Sequence, residues 1–127
     1  LAEACREVAP CPTGEARSTP GFDLKARWII HAVGPVWHNG TTDEDRLLAS
    51  CYRAVLSLAE RQGIESVAFP AISTGIYGFP LERATRIALR EIGAALERSR
   101  GVRSVTCACF TAETLAVYER IRGELAL

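Results

Sequence analysis

Three times between residues 28 and 125 the hydrophobic period changes from that of a strand to that of a helix, and this alternation leaves few folds open. Trp28-Ile29-Ile30-His31-Ala32-Val33 is a short apolar run, and after it Leu47, Leu48, Cys51, Val55, Leu58 and Ala59 recur on one face of a helix. The second round is a buried strand over 66–70, then a helix with Leu81, Ala84, Ala88, Ile92 and Ala95 inside. The third is a strand over 103–110, then a helix presenting Leu115, Tyr118, Ile121 and Leu125. Repeated strand and helix in this order gives parallel strands joined by right-handed crossovers, with helices covering the sheet. Ligands of such sheets bind beyond the carboxyl ends of the strands.

Local signals set the expected boundaries. Thr41-x-x-Glu44 reads as a capping box opening the first of these helices, and Gly63 as its stop. Pro80 suits the first turn of the second, which ends near Gly101, and Thr111 is the expected N-cap of the third. Upstream, Leu1, Ala4, Cys5 and Val8 have helical spacing and are stopped by Pro10 and Pro12. A polar strand-like run over 13–19 precedes the Pro20-Gly21 turn and is expected to pair antiparallel with 28–33, making the sheet mixed. Without a repeat or linker, residues 1–127 are expected to form one domain.

Composition removes several functions. Fifteen basic and fifteen acidic side chains cancel, so no electrostatic track for a nucleic-acid backbone is expected. No apolar run approaches the roughly 20 residues that span a bilayer, and residues 1–8 lack the pattern of a signal peptide; the expected location is cytoplasmic. Five cysteines, an odd number without Cys-x-x-Cys spacing, argue against a disulfide framework or a zinc site, so no metal or cofactor is expected. Cys107 and Cys109, two apart on a strand, share a face and read as packing residues.

The richest segment is Pro70-Ala71-Ile72-Ser73-Thr74-Gly75-Ile76-Tyr77-Gly78-Phe79-Pro80, which leaves a strand's carboxyl end and enters a helix. Gly75 and Gly78 admit a close ligand, and the free N–H groups of the helix start favour an anion. The loop has no Lys or Arg, so a phosphate there is expected to rest on backbone donors and the hydroxyls of Ser73 and Thr74. The Gly-Lys-Ser/Thr ending of a nucleoside triphosphatase loop is missing, and Ala-Ile-Ser-Thr-Gly is not the Gly-x-Ser-x-Gly of a serine hydrolase. Alone, two glycines before a helix are more often turn punctuation. His31, in an apolar strand, reads as a hydrogen-bonded core residue rather than a base, and His38 as a surface residue.

That loop, together with Gly14-Glu15-Ala16-Arg17 and Ile30-His31-Ala32-Val33-Gly34-Pro35-Val36-Trp37-His38, closely resembles the macrodomain family of the MacroD hydrolase type, over nearly the whole chain. The resemblance implies a three-layer α/β/α sandwich with a mixed, mostly parallel sheet. It implies that backbone amides over Ser73, Thr74, Gly75, Ile76, Tyr77 and Gly78 wrap the diphosphate of ADP-ribose, with the Tyr77 ring near the distal ribose. Phe110 matches the aromatic that stacks on adenine, although a strand aromatic is ordinarily a packing residue. The implied activity is hydrolysis of O-acetyl-ADP-ribose or of mono-ADP-ribosyl esters on proteins; a non-catalytic ADP-ribose reader is the alternative. MacroD-type proteins also open with a strand ending in an Asn-Ala-Ala-Asn-like stretch and a glycine-rich loop bearing an acidic residue. Neither occurs from Leu1 onward, so the resemblance assigns no catalytic residue here and implies that the family's first strands precede this chain.

Overall fold

The structure, a computed structural model, describes Ala4 and residues 11–127. Apart from Ala4, the helical turns expected over 1–9 lie outside the described residues. The elements are β1 (Ala16–Pro20), β2 (Trp28–Ala32), α1 (Glu44–Arg61), β3 (Ser66–Phe69), α2 (Leu81–Arg98), β4 (Ser104–Cys107) and α3 (Ala112–Glu124).

β1 and β2 pair antiparallel, with Arg17 opposite His31 and Thr19 opposite Ile29. β1 begins later than expected because Gly14 is left-handed, at φ 84°, and the Glu15 amide bonds back to the Pro12 carbonyl, making a turn of 12–15. β3 and β4 pair parallel, Val67 opposite Val105 and Phe69 opposite Cys107. β4 does not reach Phe110. Its partner ends at Phe69, where Pro70 has no N–H to donate, and after the Ala108 amide bonds the Phe69 carbonyl the chain leaves the ladder.

Among the described residues the four strands form two separate two-stranded sheets. A cavity of about 440 Å³ lies between β2 and β3, lined by Ile30, Ala32, Val67, Phe69 and Ile72 with Val55 of α1. The main core joins Leu48, Tyr52, Val55, Leu56 and Ala59 of α1 to Ala84, Ala88, Ile92 and Ala95 of α2, over Phe69, Phe79 and Val102. Val67 and Val105 pack against it, whereas Ser66, Ala68, Ser104 and Thr106, on the opposite face, are exposed. α3 adds Tyr118 and Ile121 against Leu89. The expected inward residue Leu115 is 47% exposed, at the rim of a cleft between α2, β4 and α3 whose wall includes Cys107 and Cys109.

Helix ends show where local signals suffice. α1 stops as expected: Gly63 is left-handed, its amide bonds Glu60 and the Ile64 amide bonds Ala59, satisfying two terminal carbonyls. Thr111 caps α3 by accepting the Thr114 amide at 3.1 Å. The capping box at Thr41 is not formed. The N-cap of α1 is Asp43, at φ 62° and without a side-chain cap bond, and Glu44 turns back onto the preceding loop. Pro80 precedes the first turn of α2 as N-cap instead of entering it. Glu82 and Arg86, one turn apart on α2, pair at 3.3 Å, and the network extends to Arg120 and Glu124, joining α2 to α3.

Candidate anion-binding site

The loop from β3 to α2 folds with the carbonyls of Ala71, Ser73, Gly75 and Tyr77 engaged and a run of amides left over. Thr74 bonds the Ala71 carbonyl through both its amide, at 3.4 Å, and its hydroxyl, at 2.8 Å. The Gly78 amide bonds Gly75 and the Phe79 amide bonds Ser73. These closures use left-handed backbone at Ser73, φ 65°, and Gly78, φ 73°; the first is costly for a residue with a Cβ and marks the loop as held from outside. The amides of Gly75, Ile76 and Tyr77 make no hydrogen bond among the described residues, and residues 75–78 are exposed. Three successive N–H groups unpaired among the described residues, beside a helix start without a side-chain cap, are an arrangement that favours an anion, here without any cationic side chain.

Three contacts hold this loop. At its start the buried Tyr52 phenol lies near the Ile72 backbone and the Tyr118 phenol; burial pushes Tyr52 well above its ordinary range and Tyr118 up to about 12. In the middle Ser73 lies against Gly34, where a Cβ would come within 2.2 Å of the Ser73 hydroxyl and 2.6 Å of Ile72 Cγ2, so only glycine fits without displacement. At the far end the Trp37 amide donates to the Tyr77 carbonyl at 2.8 Å. The Trp37 ring packs on Phe79, centroids 4.8 Å apart, and Arg83, paired with Asp45 at 2.6 Å, covers it at 5.1 Å. Behind Trp37, buried Glu44 accepts the amides of His38, Gly40 and Thr42 and the Thr42 hydroxyl. Burial opposes its charge, but those donors hold its pKa at about 2.

The Macro domain family matches residues 1–88 of the chain. The chain belongs to the macro domain family. A macro domain-containing protein of Chlorobaculum tepidum is 49% identical over 120 residues, covering 94% of this chain and 70% of the relative. The O-acetyl-ADP-ribose deacetylase of Klebsiella pneumoniae is 45% identical over 125 residues, covering 95% of this chain and 71% of that protein. A variant macrodomain of Oceanobacillus iheyensis, solved with ADPR, superposes with TM-score 0.91 at 38% identity, over 98% of this chain and 70% of that one. The fold class is accordingly that of macrodomains, the layered α/β/α arrangement.

Within this macro domain, Ser73, Thr74, Gly75, Ile76, Tyr77 and Gly78 form one continuous loop. Phe110 lies three residues past β4, 84% exposed, and because β3 and β4 are parallel neighbours it leaves the sheet on the same side as the loop. The two hydroxyls are not placed as expected. Ser73 Oγ is enclosed with no hydrogen-bond partner among the described residues, and Thr74 Oγ1 is spent on Ala71, which leaves the outward donors to the backbone. Gly75 has open space where a Cβ would stand, so its small size serves nothing within the protein. His31 bonds Thr19 at 2.9 Å, as expected of a core histidine, and His38 is exposed. Sequence reasoning missed Gly34, Trp37 and Glu44 as supports of the loop. The signal available for Glu44, an acid after a polar loop, was absorbed by the capping-box pattern.

Proposed function

We propose that the chain binds ADP-ribose, with the diphosphate on the amides of Gly75, Ile76 and Tyr77. In this reading the Tyr77 ring, 41% exposed, flanks the distal ribose and the Phe110 ring stacks on adenine. The carrying observation is the set of three amides, on exposed residues and unpaired among the described residues, in a loop whose Ala71, Ser73, Gly75 and Tyr77 carbonyls are engaged. Preorganised backbone donors of this kind bind a diphosphate without first breaking internal hydrogen bonds.

The finer activity is hydrolysis of an ester of ADP-ribose, either O-acetyl-ADP-ribose or a mono-ADP-ribosyl ester on a protein. The name of the Klebsiella pneumoniae relative supports it. Water adds to the acyl carbon and the ribose hydroxyl leaves with a proton. The loop fixes the distal ribose, and the water is activated by the ligand's own phosphate or by a group outside residues 1–127. A second reading, an ADP-ribose reader without turnover, is favoured by the lack of any Asp, Glu, His, Cys or Lys between Pro70 and Pro80. The protein is placed in the cytoplasm and with no membrane or nucleic-acid partner as part of the same proposal.

Calorimetry with ADP-ribose, followed by assay of acetate release from O-acetyl-ADP-ribose, tests both levels. Binding with release supports the hydrolase, binding without release supports the reader, and a folded protein that does not bind sinks the proposal.

A further inference from the structure

Glu44 is a charged side chain only 1% exposed, yet neither ADP-ribose binding nor ester hydrolysis as described above uses it. A buried carboxylate is tolerated only when its oxygens are fully hydrogen-bonded. Its donors show what the charge organises. Oε2 accepts the His38 amide at 2.9 Å and the Gly40 amide at 2.8 Å, and Oε1 accepts the Thr42 amide at 2.5 Å and the Thr42 hydroxyl at 2.8 Å. None of these belongs to α1. A carboxylate that served its own helix would bond the helix's first free amides, whereas here all bonds run backward and curl the loop 38–42 around one fixed charge.

That loop begins next to Trp37, which among the described residues reaches the Tyr77 carbonyl from outside 70–80. The His38 amide, clamped by Glu44, and the Trp37 amide, which holds the Tyr77 carbonyl, belong to successive peptide units. Asp45, beside Glu44, pairs with Arg83, which covers the Trp37 ring. The start of α1 thus fastens Trp37 by its backbone and by its ring.

We propose that Glu44 is a positioning residue for the ligand loop: by holding the His38 amide it sets Trp37, which keeps the Tyr77 carbonyl inward and the amides of Gly75, Ile76 and Tyr77 outward. The ligand named in the test rests on the ADP-ribose reading; the geometry does not. Glu44→Gln keeps the shape but turns one acceptor edge into a donor facing amide donors. In the folded variant we expect tenfold or faster hydrogen exchange at the Trp37 amide, displaced amide resonances for residues 75–77, and ADP-ribose affinity weakened on the order of tenfold. Ile92→Val, a core change that lowers stability without touching this chain of contacts, is expected to leave all three unchanged. Thr42→Val, which removes one donor, is expected to move them less and in the same direction, and decides the matter if Glu44→Gln does not fold. Unchanged Trp37 exchange and unmoved resonances in a folded Glu44→Gln would overturn the proposal, as would equal losses of affinity in Ile92→Val. Altered exchange in a protein that fails to bind ADP-ribose even as wild type would uphold the positioning and remove only the ligand reading.

Discussion

After β3 and after β4 the chain makes the same passage, from a strand's carboxyl end to a helix start, and completes it in opposite ways. At α3 the Thr111 hydroxyl accepts the Thr114 amide, so the helix start is capped by its own side chain. At α2 the N-cap is Pro80, with no side-chain cap, and the preceding loop adds the amides of Gly75, Ile76 and Tyr77, unpaired among the described residues. A terminus satisfied from within has fewer donors to offer, whereas one left open presents N–H groups and the positive end of the helix dipole to solvent. Two equivalent positions in one sheet therefore differ in which backbone groups the chain leaves unpaired. Supporting the open one takes Tyr52, Gly34 and Trp37; the closed one needs one threonine.

The contrast can be attacked at either turn. The largest effect is expected from Gly75→Glu, which places a carboxylate at the mouth of the amide cradle. Because a Cβ there meets nothing within 4 Å, thermal stability should hold while calorimetry shows ADP-ribose affinity falling a hundredfold or more, about 2.8 kcal/mol. Retained affinity would dismiss the cradle. Phe110→Ala removes a ring that is 84% exposed, so the melting temperature should not change, but affinity should drop about tenfold, in keeping with ~1–3 kcal/mol for base stacking on an aromatic ring. An unaltered Kd would show that the ring does not meet the adenine. At the closed turn the expectation reverses: Thr111→Ala should cost about 1 kcal/mol in denaturant unfolding and leave affinity untouched. A loss of binding there would mean that the two turns are not independent. The smallest effect belongs to Ser73→Ala. Its hydroxyl is enclosed without a partner among the described residues, so removing it should change stability and affinity by no more than about 0.5 kcal/mol, whereas a large loss of affinity would show that it bonds the ligand after all.

Much of the architecture was legible in short stretches of sequence. The Gly63 stop, the Thr111 cap, the antiparallel pairing of β1 with β2 and the inner faces of α1 and α2 each depend on residues a few positions apart, or on one hydrophobic period. Misplaced boundaries had a common origin in a distant or competing partner. β4 is short because β3 ends at Pro70, and the capping box failed because Glu44 found better donors in the loop before it. The exposed Leu115 lies on the periodic face of α3, but helical periodicity does not say whether anything packs against that face.

The candidate site divides in the same way. The proposal of residues 73–78 as a ligand loop, the lack of cationic side chains in it and the family resemblance all come from sequence alone, since each resides in contiguous residues and their chemistry. Only the tertiary structure decided which groups of that loop face outward. Ser73 turns its hydroxyl inward against Gly34, 39 positions earlier, and Tyr77 has its carbonyl held by Trp37, 40 positions earlier. The direction in which a peptide group points depends on what bonds its other side, and those partners come from strands and helices that meet only when the chain is folded.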